Sequence, residues 1–150
     1  MKSTLKLFLF FFLTILLSCQ PASDKSQKII EIKKLISQYN KAFCQKDFQK
    51  FSSFCSEDFT FFTLDGQSFD KTTIASFLEK VLGRWQNVQI EAEDLDIQVD
   101  NNFAFARYLS VYKYVIDETY GAMNSRITVF FKRINGEWML AHFHMSRSYQ

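Results

Sequence analysis

Residues 126–146 read RITVFFKRI, then NG, then EWMLAHFHMS, and their pattern decides the fold. Two alternating, β-branched and aromatic runs flank Asn135-Gly136, the dipeptide that best tolerates the left-handed backbone of a two-residue hairpin turn. Upstream, Phe103 to Asp117 reads as a long strand that turns at Thr119 to Gly121. Before it, Val88, Ile90 and Ala92, then Leu95, Ile97 and Val99, alternate with polar neighbours. The C-terminal half is therefore a meander of strands.

Farther toward the N-terminus the apolar period changes from two to between three and four. Ile29, Ile32, Leu35, Ile36, Tyr39, Ala42 and Phe43 form the stripe of an amphipathic helix over about residues 26–45. Asp47 suits the N-cap of a short second helix carrying Phe48, Phe51, Phe54 and Cys55. Phe59 to Leu64 reads as a strand and Asp65-Gly66 as a turn. A third helix starts near Asp70, shows Ile74, Phe77, Leu78, Val81 and Leu82, and stops at Gly83. Helices first and strands after predict an α+β fold, with three N-terminal helices packed on one face of a curved antiparallel sheet. Eighteen Phe against one Pro and four Gly point to a single large apolar core with few sharp turns.

At the start of the chain, Lys2 and Lys6 precede an apolar run from Leu7 to Leu17 that is too short for the roughly 20 residues of a membrane-spanning helix. Leu16-Leu17-Ser18-Cys19 follows, and it resembles the lipobox of bacterial lipoproteins. The resemblance implies a signal peptide over residues 1–18, lipidation of Cys19, a tether over 19–27 and a domain over 28–150. It places the protein in the cell envelope, anchored to a membrane by lipid and facing outside the cytoplasm. Gln20 after the cysteine implies the outer membrane in a Gram-negative cell. Loss of residues 1–18 removes two lysines and no acid, leaving 16 basic and 16 acidic residues. Such a balance excludes nucleic acid as a partner, since phosphate recognition needs a basic surface. Cys44 and Cys55 are open to two readings, a disulfide in an oxidising compartment or two buried free thiols.

Several marks stand in a fixed order: Tyr39-Asn40-Lys41-Ala42 with Lys46-Asp47, Ser56-Glu57-Asp58-Phe59, and Asn135-Gly136-Glu137-Trp138 leading to His142-Phe143-His144-Met145-Ser146. Together they resemble the nuclear transport factor 2-like superfamily, in particular its SnoaL-like branch and the association domain of calcium/calmodulin-dependent kinases. The resemblance implies a cone with an apolar pocket between helices and sheet, and a homodimer. It does not imply one chemistry, because such a scaffold hosts isomerases, cyclases, dehydratases, carriers and assembly modules.

Alignment to the steroid isomerases of this superfamily puts Thr63 where their carboxylate base stands and Thr128 or Val129 where their aspartate stands, so of that machinery only Tyr39 remains. Alignment to the kinase association domain puts Val111, Val129 and Met145 where its pocket arginines stand. The expected pocket is accordingly apolar. Its ligand-binding set is Tyr39, Trp85, Arg107, Val111, Val129, Phe143 and Met145, with Phe103, Phe105, Leu109 and Ile127 on the same inner face and Arg107 as its one charge. Tyr108, Ser110, Tyr112 and Tyr114 are expected on the outer face with Trp138, His142 and His144, as a dimer interface. A small apolar or amphipathic ligand held without strong catalysis is the leading expectation, with no cofactor and no metal. Two rival readings are an enzyme using His142 or His144 with Tyr39 or Arg107 for proton transfer, and a homo-oligomeric assembly module.

Overall fold

The computed structural model describes residues 21–148; Cys19 and the expected signal peptide lie outside them. The chain forms helix α1 (Pro21–Cys44), helix α2 (Phe48–Ser53), strands β1 (Cys55–Phe62) and β2 (Ser68–Asp70), helix α3 (Ile74–Leu82), and strands β3 (Gln86–Val99), β4 (Phe103–Ile116), β5 (Thr119–Ile134) and β6 (Glu137–Arg147). The first helix begins five residues before the expected Ser26. Proline is favoured at a first helical position, where its missing N–H is not needed, and Asp24 pairs with Lys28 one turn on at 2.6 Å. Residues 21–27 are thus helical rather than an irregular tether.

All six strands form one sheet in the order β2-β1-β6-β5-β4-β3. It is mixed, not purely antiparallel as expected, because β1 runs parallel to β6. The hairpin at Asn135-Gly136 forms as read, with φ of 51° and 86°. Asp47 caps α2, its carboxylate accepting from the Lys50 N–H at 2.9 Å. Asp70 instead closes the short strand β2, where its carboxylate takes bonds from the backbone N–H and hydroxyl groups of Thr72 and Thr73, and α3 starts four residues later.

The two alternating sets, Val88 to Ala92 and Leu95 to Val99, lie on one strand, β3. The apolar positions change parity between Ala92 and Leu95 because a bulge between Glu93 and Asp96, with Asp94 at φ 52°, adds a residue without ending the strand. The turn before β5 also differs from expectation. It is Asp117-Glu118, with φ of 48° and 64°, and Ile116 pairs with Thr119.

That turn decides which face of β4 is buried. A two-residue turn pairs odd positions with even ones, and Ile127, Val129 and Phe131 of β5 are fully buried. Their partners Tyr108, Ala106 and Ala104 must then face the core, and they do. The phase expected for β4 is corrected: Tyr108, Ser110 and Tyr112 point inward, while Phe103, Phe105, Arg107, Leu109 and Val111 lie on the outer face. The phase of β6 is corrected in part. Trp138 and Leu140 face the core, not the outside, because a bulge at Ala141 separates the Phe131–Leu140 pair from the Phe130–His142 pair. Beyond the bulge, Phe143 and Met145 face the core and His142 and His144 the outside.

The core fills the space between α1, α2, α3 and this inner face. Tyr39 and Phe43 of α1 meet Phe51, Phe143 and Tyr112 edge-on or tilted, with ring centroids 5.9–6.3 Å apart. Complete burial of each such ring contributes about 1.5–3 kcal/mol.

Candidate functional site

Helix α3 is the wall that makes a pocket. Its Ile74, Ala75, Leu78 and Leu82 are buried, and Phe77 stacks on Phe69 of β2 at 3.8 Å. Between this wall and the sheet lies a cavity of about 310 Å³. Phe77, Leu78, Val81 and Leu82 form one side, Phe43, Phe61 and Leu64 the back, and Tyr112, Met123 and Met145 the sheet side. Trp85 stands at the mouth, stacked on Tyr114 at 3.8 Å with an interplanar angle of 18°.

Besides the Tyr112 hydroxyl and the Trp85 indole, the polar residues of the lining are Thr63, Asp65, Gln67 and Arg147, at the rim. The Asp65 carboxylate is already engaged: the Thr63 hydroxyl donates to it, and Gln67 Nε2 donates at 2.7 Å. Those two bonds hold its pKa below the usual carboxylate range.

The residues expected to bind ligand fall into three groups. Trp85 and Met145 line the cavity. Tyr39, Val129 and Phe143 are buried in the core behind it. Arg107 and Val111 lie on the outer face, where Arg107 Nε donates to Asp96 at 3.0 Å, so the pocket charge assigned to Arg107 is misplaced.

Of the enzyme reading, the histidines and Tyr39 do not meet, whereas Arg107 shares the outer face with the histidines, in one row with Thr128 and His144, its Nε donating to Asp96. His142 and His144 project from the outer face, His142 Nδ1 lying 2.7 Å from the Thr60 hydroxyl and its ring 5.0 Å from Phe62. Burial and the neighbouring His144 push the pKa of His142 down. Tyr39 is on the other side of the sheet, its hydroxyl 2.6 Å from that of Tyr108. Burial drives the pKa of both tyrosines far up, so neither serves as a base at neutral pH. Proton transfer by either histidine with Tyr39 is excluded by this geometry. Among the described residues no three His, Cys, Asp or Glu side chains converge on a metal position.

Cys44 and Cys55 are free thiols. Cys55, expected on α2, opens β1 instead; its Sγ lies 3.6 Å from the Phe51 carbonyl, and burial pushes its pKa up to about 12. Such a thiol is chemically quiet.

Arg147 is the charged rim residue that sequence reasoning missed, and Gln67 a neutral one. For Arg147 the signal was present, because the alternation placing Phe143 and Met145 inward continues to 147. Leu64, Val81 and Met123 were missed for a different reason: their side of the pocket exists only once α3 folds over the sheet.

A family model described as the SnoaL-like domain matches residues 32–150. A comparison with curated protein sequences returned no match. Among solved structures, a Mycobacterium tuberculosis protein of unknown function superposes with a TM-score of 0.79 at 18% identity, covering 89% of this chain and 79% of that one. A provisionally assigned dehydratase of the nuclear transport factor 2-like family from Streptomyces avermitilis gives 0.76 at 11% identity, covering 84% and 99%. A provisionally assigned calcium/calmodulin-dependent kinase II association domain from Xanthomonas campestris gives 0.72 at 14%, covering 80% and 87%. At these identities the likeness is one of fold: a cone with N-terminal helices on a curved six-stranded sheet.

Proposed function

The chain belongs to the SnoaL-like domain family, and on that premise we propose that it is a binding protein that holds a small apolar or amphipathic molecule in its cone, anchored to an envelope membrane through lipid on Cys19. The observation that carries this reading is the apolar cavity between α3 and the sheet. Its volume of about 310 Å³ is at the lower end of the range for small-molecule sites. Among the described residues no histidine or cysteine lines it, and the one side-chain carboxylate on its rim is engaged in its own turn.

Titration of residues 21–150 with decanol tests the pocket. This segment contains every element and core residue described, and a cooperative thermal unfolding transition is required of it before ligand is added. Trp85 stands at the mouth, so occupancy shifts its emission, and Val81→Trp, which fills the space, weakens binding at least about tenfold. A flat titration for decanol and related amphiphiles removes the proposal. The anchor is tested separately: Cys19→Ser in the full chain releases the protein from the membrane fraction, and unchanged fractionation overturns the lipid assignment.

A second copy as partner is favoured by the outer face. Phe62, Phe103 and Phe130 are among the large apolar side chains left exposed there, with ion pairs such as Lys113–Glu91 and Arg107–Asp96 nearer the β3 edge. This is an apolar centre with a polar border, the composition of a protein interface. Sedimentation of the wild type and Phe130→Asp distinguishes a dimer from a monomer.

A further inference from the structure

We propose that the pocket is built for an amphiphile with an anionic head, and that Arg147 at its rim recognises that head while the apolar body fills the cavity. The inference rests on the ligand-holding function proposed above and names the class of ligand.

Three observations carry it. First, Arg147 lines the cavity from the inner face of the sheet, in the same phase as Met145. It is the only cation among the cavity-lining residues described, and it forms no ion pair among the described residues. At this exposed rim position its fork of donors has no carboxylate partner among the described residues, and that fork matches the two oxygens of a carboxylate or the oxygens of a phosphate ester.

Second, the strand register puts Arg147 beside Ser125, and Ser125 beside Ser110, so the three form one row across the inner face. The Ser125 hydroxyl is buried and lacks a hydrogen-bond partner among the described residues, whereas the Ser110 hydroxyl is turned to that of Tyr112. Buried polar groups without partners are uncommon, and this one occurs at the strand position paired with Arg147. The row is bordered on one side by Tyr112 and Met123 and on the other by Met145, all of which line the cavity.

Third, the one acid among the described rim residues is not paired with this cation. Asp65 stays ionised but is held by Thr63 and Gln67 within its own turn, and no ion pair joins it to Arg147 among the described residues.

The test uses four probes with one apolar body: decanoate, decyl phosphate, decanol and decylamine. Calorimetric titration of the folded 21–150 segment is expected to show both anions binding at least about tenfold tighter than decanol, and decylamine weakest. The tighter of the two anions identifies the head as carboxylate or phosphate. Arg147→Gln brings the anions to the level of decanol and leaves decanol unchanged, while Arg147→Lys keeps part of the preference. Equal binding of decanol and the anions by the wild type overturns the inference and leaves the pocket standing. The inference also fails if Arg147→Gln weakens decanol as much as decanoate. Binding of none of the four removes this inference together with the function it rests on.

Discussion

The two faces of β4 differ in a direction that side-chain hydrophobicity does not suggest. Its outer face carries Phe103, Phe105, Leu109 and Val111, whereas its inner face carries Ala104, Ala106, Tyr108, Ser110 and Tyr112. The inner face must leave room for Tyr39 and Phe43 of α1, which lie across it, and small residues allow that approach. The tyrosine hydroxyls go inward because Tyr39 and Tyr108 satisfy each other. Apolarity shows that a strand is wanted, while the turn and the partner strand show which side is buried.

The largest expected break of this comparison is between neighbours on β5. Phe131 is fully buried on the inner face and Phe130 is 37% exposed on the outer one. In urea unfolding, Phe131→Ala should cost about 3–5 kcal/mol, and Phe130→Ala under about 1 kcal/mol in the isolated protomer. Equal losses would show that the outer face is as packed as the inner. Next in size is the hydroxyl pair. Tyr39→Phe and Tyr108→Phe should each cost about 1–3 kcal/mol by leaving a buried hydroxyl alone, and the double variant should cost less than the two together.

The smallest expected effect is a contrast in pH dependence. On the outer face His142 titrates lower in the fold than its ordinary value near 6.5, so the fold binds fewer protons than the unfolded chain in that window. Its contribution to stability is complete above about pH 6.5 and falls as the pH drops through the depressed value; His142→Gln should flatten the melting temperature there. On the inner face the pKa values of Tyr39, Tyr108 and Tyr112 are raised, so their contribution is complete below about pH 10 and is lost as the pH climbs above it. Absorbance of tyrosinate against pH should show these three ionising only as the protein unfolds.

The site was less legible in the sequence than the fold. Trp85 and Met145 were read as pocket residues and line it, but Arg107 was chosen where Arg147 stands. Both arginines sit in alternating runs, and choosing between them requires the parity of each strand. For β4 that parity depends on whether the turn has two residues, Asp117-Glu118, or three, Thr119 to Gly121. For β6 the parity at Phe143 and Met145 was legible and extends to Arg147, while the bulge at Ala141, which no local residue announces, hid only the inward turn of Trp138.

The sequence by itself determined the helical stripes of α1 and α3, the cap at Asp47, the hairpin at Asn135-Gly136 and the α+β class. Each of these follows from interactions within a few residues: apolar period, a side chain reaching its own backbone, a dipeptide that accepts positive φ. Tertiary structure alone decided the parallel pairing of β1 with β6, the inner face of β4, the bulge in β6 and the cavity under α3. Those depend on which distant surfaces meet, and where both faces of a strand are apolar, only the partner that covers one of them determines which is buried.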